Sequence, residues 1–293
     1  MRSVRYRIAQ HTLRIRFDDT QADEGMLPSF TPFLISDTEG DEQPLTTVTV
    51  SQTCPFSPRR EEVGQFEGGD NHYGVYTTEG GYQIEVSDPS RELCAVLESR
   101  EGFRECLVSL KAQGEALRSF GLNNCVMMAY AFASSARGTL LMHSSVIRHQ
   151  GKGYLMTAPS GTGKSTHTWL WYKNIPGCDL INDDNPIVRI LEGVPTVFGS
   201  PWSGKTRCYR NVSAPVGALV RIRQAKRNEI RRLGVAEAMA VLLPAVTSMK
   251  WDEGIYRATC DTIAQLIGST PVYELSCLPD ADAARLCYST IAR

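Results

Sequence analysis

The sequence predicts a mixed α/β protein with a β-rich N-terminal domain or extension over residues 1–114. Over residues 115–293 it predicts an α/β core built around a phosphate-binding loop. Three observations carry this reading. The first hundred residues alternate apolar and polar side chains in short runs, broken by turns rich in Gly and Pro. A segment of helical period follows. Behind it, "LMTAPSGTGKSTHTWLW" (residues 155–171) sets a strand, a glycine-rich loop and a helix in succession.

In the first part, "VRYRIAQHTLRIRF" and "LTTVTV" alternate as strands, and "HYGVYTTEGGYQIEVSD" reads as a hairpin turning near Gly80 and Gly81. "ELCAVLES" and "ECLVSLKA" continue the pattern. The stretches "SDTEGDEQP" and "TCPFSPRREEVGQFEGGDN" read as loops, because Gly, Pro and charge crowd them. The texture changes at "GEALRSFGLNNCVMMAYAFASSARG", a helix with Gly138 as its stop. Strands follow in "TLLMHSSVIRH", "GYLMTA", "CDLIND" and "NPIVRIL", with a helix from about Lys164. The basic run "RIRQAKRNEIRRLG" reads as a solvated hairpin, and the tail ends in strand "PVYELSC" and helix "DADAARLCYSTIA".

The 293 residues are 42% hydrophobic and 22% charged with a net charge of −1, a balance that favours neither nucleic acid nor an anionic membrane as partner. No apolar run reaches the length of a membrane span, and the charged N-terminus does not read as a signal peptide. Nine cysteines without a C-x-x-C pair argue for reduced thiols and a cytoplasmic protein rather than a disulfide framework. The three histidines between 143 and 167 lack metal-ligand spacing, so no zinc site is expected.

The loop runs Ala158, Pro159, Ser160, Gly161, Thr162, Gly163, Lys164, Ser165, Thr166, with Ala158 where a first glycine usually stands. Glycines at 161 and 163 let backbone N–H groups turn toward phosphate oxygens, and the following helix presents its positive end to them. Lys164 is placed to reach the β- and γ-phosphates of a nucleotide and Ser165 to hold Mg²⁺. Asp183 and Asp184 end an apolar strand 19 and 20 residues after Lys164. One carboxylate there orders Mg²⁺ and the other takes a proton from an attacking hydroxyl; the bland alternative is a solvated turn. His143, taken alone, is of the type more often packed than catalytic. A second glycine loop, "VFGSPWSGKTRCYRN", carries Lys205, Arg207 and Arg210 as donors for a transferred phosphoryl group or an anionic substrate, with Trp202 as an apolar wall; an exposed basic loop is the alternative.

In order, "MHSSVI", "APSGTGKST", "NDDN" and the cationic glycine loop resemble the catalytic domain of HPr kinase/phosphorylase and its relatives over residues 120–225. "NNCVMMAYAFASSARGTLLMHSS" looks especially like small HPr-kinase-like proteins of bacterial gene clusters. The resemblance implies a P-loop core of the HPr kinase/phosphoenolpyruvate carboxykinase type. It implies ATP and Mg²⁺ as ligands, His143 near the phosphates and the acceptor hydroxyl, Asp183 as general base, Asp184 assisting with the metal, and assembly into homo-oligomers. Two departures stand out. Thr166 occupies a position where HPr kinases commonly have Glu, and "SPWSGKTR" replaces their arginine–glycine signature.

The function implied is an ATP-dependent kinase acting on a hydroxyl acceptor: a Ser or Thr of a protein or peptide, or a small molecule such as serine. The alternative is a catalytically inactive nucleotide-binding regulator or scaffold. A motor or GTPase fits less well, because no guanine signature is present and the acidic pair follows the loop closely.

Overall fold

The computed structural model describes residues 2–19, 22–36, 43–68 and 71–292; the loops expected around 37–42 and 69–70 lie outside them. By internal contacts the chain forms two units, Met1–Ser134 and Ser135–Arg293.

The first unit is a sheet of nine strands among the described residues. They are β1 (Arg2–Ile8), β2 (His11–Phe17), β3 (Leu34–Ile35), β4 (Thr46–Val50), β5 (Glu62–Gly68), β6 (Asn71–Thr77), β7 (Tyr82–Ser87), β8 (Leu93–Arg100) and β9 (Glu105–Leu110), in the order β3-β1-β2-β4-β9-β8-β7-β6-β5. The alternation read from the sequence produces this sheet. Val75, Ile84, Val86, Leu97 and Val108 are buried, while Tyr76 and Glu85 lie on the other face and keep partial exposure. The β6–β7 hairpin turns at Glu79–Gly81 as expected. One expectation fails here: "EVGQFEG", placed within a loop because of its charge and glycines, is the edge strand β5, paired antiparallel to β6. Its partner strand supplies the hydrogen bonds that its composition does not advertise.

Helix α1 (Glu115–Ser134) lies across this sheet, burying Leu122, Cys125, Val126, Ala129 and Tyr130. Gly121 permits the approach, since a Cβ there would lie 2.8 Å from that of Ala95. Tyr130 donates to the carbonyl of Ile8 at 3.0 Å, and Tyr73 donates to Asn124 at 3.0 Å. The helix therefore packs with the first unit, and the division falls at 134/135, twenty residues beyond the boundary expected from the change in periodicity. Gly138 (φ +61°) closes the segment, after one further 3-10 turn at Ser135–Arg137.

The second unit contains β10 (Thr139–Leu141), β11 (Ser144–His149), β12 (Lys152–Thr157), α2 (Lys164–Asn174), β13 (Asp179–Asn182), β14 (Ile187–Leu191), β15 (Val194–Phe198), β16 (Ser213–Gln224), β17 (Glu229–Arg232), α3 (Val235–Leu242), α4 (Glu253–Ser269), β18 (Val272–Cys277) and α5 (Ala281–Ile291). The main path of its sheet is β10-β14-β15-β16-β12-β11-β13, with β18 branching from β16 and β17 from β18. One core packs around Leu155, Leu219, Ile263 and Leu266, and another around Met156, Trp171, Val220 and Leu275. The hairpin expected in "RIRQAKRNEIRRLG" does not form. Strand β18 stands between β16 and β17, parallel to the first and antiparallel to the second, so Glu274 is registered against both Arg221 and Arg231. A direct hairpin closing Gln224 on Glu229 would have set Arg221 against Arg232, whereas the inserted strand offers a carboxylate.

Among the described residues no helix is long and apolar enough to cross a membrane.

Candidate active site

Three strand ends meet at one edge of the second sheet. Strand β11 is antiparallel to both β12 and β13, so its first residues lie beside the last residue of β12 and the last residues of β13. The sequence "TLLMHSSVIRH" is two strands rather than one. It breaks at Met142–His143, where Met142 donates its N–H to the carbonyl of Pro186 (3.0 Å) and His143 donates to that of Ala245 (2.6 Å). The break turns the His143 ring toward the glycine loop that follows β12.

That loop, residues 158–163, closes with the Thr162 N–H on the carbonyl of Pro159 at 3.2 Å. Gly161 (φ +75°) and Gly163 (φ +117°) adopt backbone conformations that side chains disfavour. Gly163 caps α2 and, having no side chain, offers no acceptor to the first N–H groups of the helix. Ser165 and Thr166 are exposed on the first turn.

Lys164 turns inward and is only 7% exposed. Its Nζ lies 2.7 Å from His143 Nε2 and 3.0 Å from the carbonyl of Ala158. Burial pushes the ammonium below the usual lysine range, opposed by the nearby carboxylates of Asp184 and Asp183. With Nε2 accepting from Lys164, the His143 proton sits on Nδ1, 3.2 Å from Asp184 Oδ1. The other Asp184 oxygen accepts from the Asn185 side chain at 2.6 Å. The result is a continuous chain from Ala158 through Lys164 and His143 to Asp184.

Asp183 is different. Ser145 donates to its Oδ1 at 2.8 Å, while Oδ2 is buried with no hydrogen-bond partner. A buried carboxylate oxygen left this way costs free energy unless a ligand, ion or water meets it. Mg²⁺ takes one or two carboxylates and keeps waters and phosphate oxygens for the rest. Asp183, Asp184 and the exposed hydroxyl of Ser165 fit such an ion in donor chemistry. Among the described residues no cluster of three or more His, Cys, Asp or Glu offers a metal cage.

Asn182 holds the second loop against this edge. Its side-chain oxygen accepts the N–H groups of Asp184 and Asn185, both at 2.9 Å. Its amide donates to the carbonyl of Trp202 at 3.0 Å and to Ser200 Oγ at 3.2 Å. Gly204 lets the loop pass close by: a Cβ there would lie 3.1 Å from that of Asp184. Lys205 and Arg207 are exposed on this loop without an ion pair among the described residues. Trp202, expected as a pocket wall, is 3% exposed and packed inside.

Arg210 is not brought to the acidic pair. Its guanidinium donates to Asp179 Oδ2 at 2.8 Å and to the Leu180 carbonyl, at the beginning of β13, while Asp183 follows its end. Arg148 grips the same Asp179 with two bonds of 2.9 and 2.8 Å. Burial raises the Asp179 pKa, but the bonds from Arg148 and Arg210 outweigh it and hold the carboxyl below its usual range. A cation so engaged is already neutralised where it stands, and its role here is to fix the loop to the strand.

Sequence reasoning singled out neither Ser145 nor Asn182. Asn182 carried a signal, since Asn before Asp-Asp-Asn commonly folds its side chain onto the N–H groups two and three residues on. Ser145 carried none, because only the β11–β13 register brings it to Asp183.

No family model matches the chain, and no curated protein matches it. Among solved structures it is similar to the Hpr(Ser) kinase/phosphatase from Coxiella burnetii, at 10% identity and a TM-score of 0.31, over 52% of this chain and 86% of that one.

Proposed function

We propose that the chain is a kinase that transfers the γ-phosphoryl group of ATP to a hydroxyl acceptor, with residues 158–166 as a P-loop. The observation that carries this reading is the pairing of the Lys164–His143–Asp184 chain with a buried Asp183 whose Oδ2 is unpartnered. A lysine at the start of a helix, held beside two carboxylates and a glycine-rich turn, is the donor arrangement that phosphoryl transfer uses.

Each residue then has a task. The N–H groups of Gly161, Gly163 and the first turn of α2 bind phosphate oxygens. Two of the three Lys164 N–H donors are spent on His143 and Ala158, leaving the third for a phosphate oxygen. Asp183, oriented by Ser145, accepts the acceptor's proton at Oδ2. His143, fixed by Asp184 at Nδ1, holds Lys164 in place and polarises the edge where the hydroxyl arrives. Mg²⁺, held by Ser165 with Asp183 or Asp184, would neutralise charge on the phosphates. Lys205 and Arg207, exposed on the loop that passes Asp184 at Gly204, would supply donors to an anionic ligand; Arg210 has no part in the transfer.

The test is ³¹P NMR of ATP and Mg²⁺ with the protein, adding amino acids, peptides and then a cell extract. A phosphomonoester resonance that requires both protein and acceptor is the expected result. Tight ATP binding without any new resonance would support a nucleotide-binding regulator instead.

A further inference from the structure

One cleft in the second unit begins at the glycine loop and extends beyond the groups that would bind the nucleotide. It encloses about 270 Å³ between the end of β12 and the α3 turn, and His143, Thr157, Ala158, Pro159 and Arg221 line it. Its opposite wall is Ala240, Val241, Pro244 and Ala245. We propose that this cleft receives the acceptor, and that Arg221 selects acceptors bearing a carboxylate close to the hydroxyl. The inference rests on the phosphotransfer reading above and adds the substrate class to it.

Four observations support it. Arg221 stands on β16 directly beside Thr157, in the parallel register of β16 and β12, so it belongs to the same edge as the glycine loop. It is half-buried, and among the described residues it makes neither an ion pair nor a hydrogen bond. The carboxylate registered beside it, Glu274, is bonded instead by Arg231 at 3.4 Å, and Arg231 also grips Glu237. A permanently charged guanidinium, partly removed from water and unneutralised by its neighbours, favours an anionic ligand.

The rest of the cleft says which anion. It has one cation and an apolar wall, whereas a triphosphate carries several charges and has the N–H groups of residues 161–166 to receive them. A single carboxylate matches a single guanidinium through two parallel bonds. The volume lies below the 300–1,000 Å³ of ordinary ligand clefts, which suits one residue-sized group with a short apolar body against Ala240 and Val241. His143 lies in the same cleft, so an acceptor anchored at Arg221 presents its hydroxyl toward the Lys164–His143 edge. In the step itself, the acceptor oxygen bonds to the γ-phosphorus as the bond from that phosphorus to the β–γ bridging oxygen breaks. ADP leaves with the electron pair, and the hydroxyl proton passes to Asp183.

A free hydroxy-amino acid and the C-terminal residue of a peptide present the same chemistry, and the test separates them. The probes are L-serine, L-serinamide, the tripeptide Ala-Ala-Ser and its C-terminal amide. Two readouts are taken on the full chain: kcat/KM by ³¹P NMR, and the arginine side-chain Nε–Hε resonance of Arg221 during titration with each probe beside Mg²⁺–ADP.

At least one acid is expected to be phosphorylated tenfold or more better than its amide. Arg221→Gln should level the two, with KM for ATP within twofold of wild type, and Arg221→Lys should restore part of the preference. The Arg221 resonance should move with the acids and not with the amides; whether serine or the tripeptide moves it at lower concentration names the source. A preference for acids that survives in Arg221→Gln would overturn the proposal, as would a loss confined to ATP affinity. If no probe is phosphorylated, the resonance decides alone. A shift with acids only keeps the carboxylate cleft while the kinase reading falls, and no shift removes the cleft assignment as well.

Discussion

Ser145 donates to Oδ1 of Asp183 at 2.8 Å, and that bond turns Oδ2 into a buried position without a partner. Of the two adjacent aspartates, therefore, only the first has an oxygen with no partner to receive a proton, while Asp184, bonded at both ends by His143 and Asn185, would meet a metal through its remaining lone pairs. Asp183→Asn is expected to lower transfer by about 10²–10⁴-fold, the usual contribution of a positioned general base. Nucleotide affinity should change little. Phosphomonoester formation and a nucleotide titration on the same variant check this, and an active Asp183→Asn protein would remove Asp183 from the mechanism.

Lys164 is expected to separate activity from stability. Its ammonium is 7% exposed and destabilised by burial, so Lys164→Met keeps the packed stem and removes the buried charge. Unfolding in urea should show a stability within about 1 kcal/mol of wild type, the relief of the buried charge offsetting the two hydrogen bonds lost from His143 and Ala158. Transfer should fall below detection. A variant that lost both together would mean that Lys164 holds the fold rather than the phosphates.

Acid should weaken the second unit through His167. This ring is 2% exposed, accepts from Trp171 Nε1 at 3.2 Å, and has its pKa pushed down to about 4 by burial. Between the folded value and the unfolded value of about 6.5, the unfolded chain binds more protons, so stability declines as pH falls through that window. The whole shift corresponds to roughly 3 kcal/mol. Urea midpoints at pH 7 and pH 4.5 should differ less for His167→Gln than for wild type; parallel curves would refute the assignment.

Arg210 and Arg207 should behave as opposites. Arg210→Gln removes one of two arginines from Asp179, a part-exposed pair whose loss costs below about 1 kcal/mol, and kcat should stay within twofold. Arg207→Gln should leave stability alone and reduce transfer if the exposed loop cations reach the ligand. Melting temperatures and kcat for the two variants, measured side by side, make the comparison.

The contiguous parts of this site were readable in the sequence. The glycine loop and the acidic pair are each runs of neighbouring residues whose local chemistry is complete, and the resemblance supplied His143. What failed to show was pairing at a distance. Nothing near Arg210 announces that Asp179, 31 residues earlier, neutralises it. The apolar face of α1 reads the same whichever sheet it covers, so the boundary between units was misplaced by the length of that helix. The charged run at 221–234 concealed its true partner for the same reason, because a strand from residues 272–277 supplies it.

That late strand has a consequence for how the protein is made. β16 and β17 are neighbours in the chain, yet neither completes its hydrogen bonds until β18, forty residues further on, has left the ribosome and slipped between them. Until then the two edges have no strand between them, and the like charges of Arg221 and Arg223 on one and Arg231 and Arg232 on the other disfavour their pairing directly.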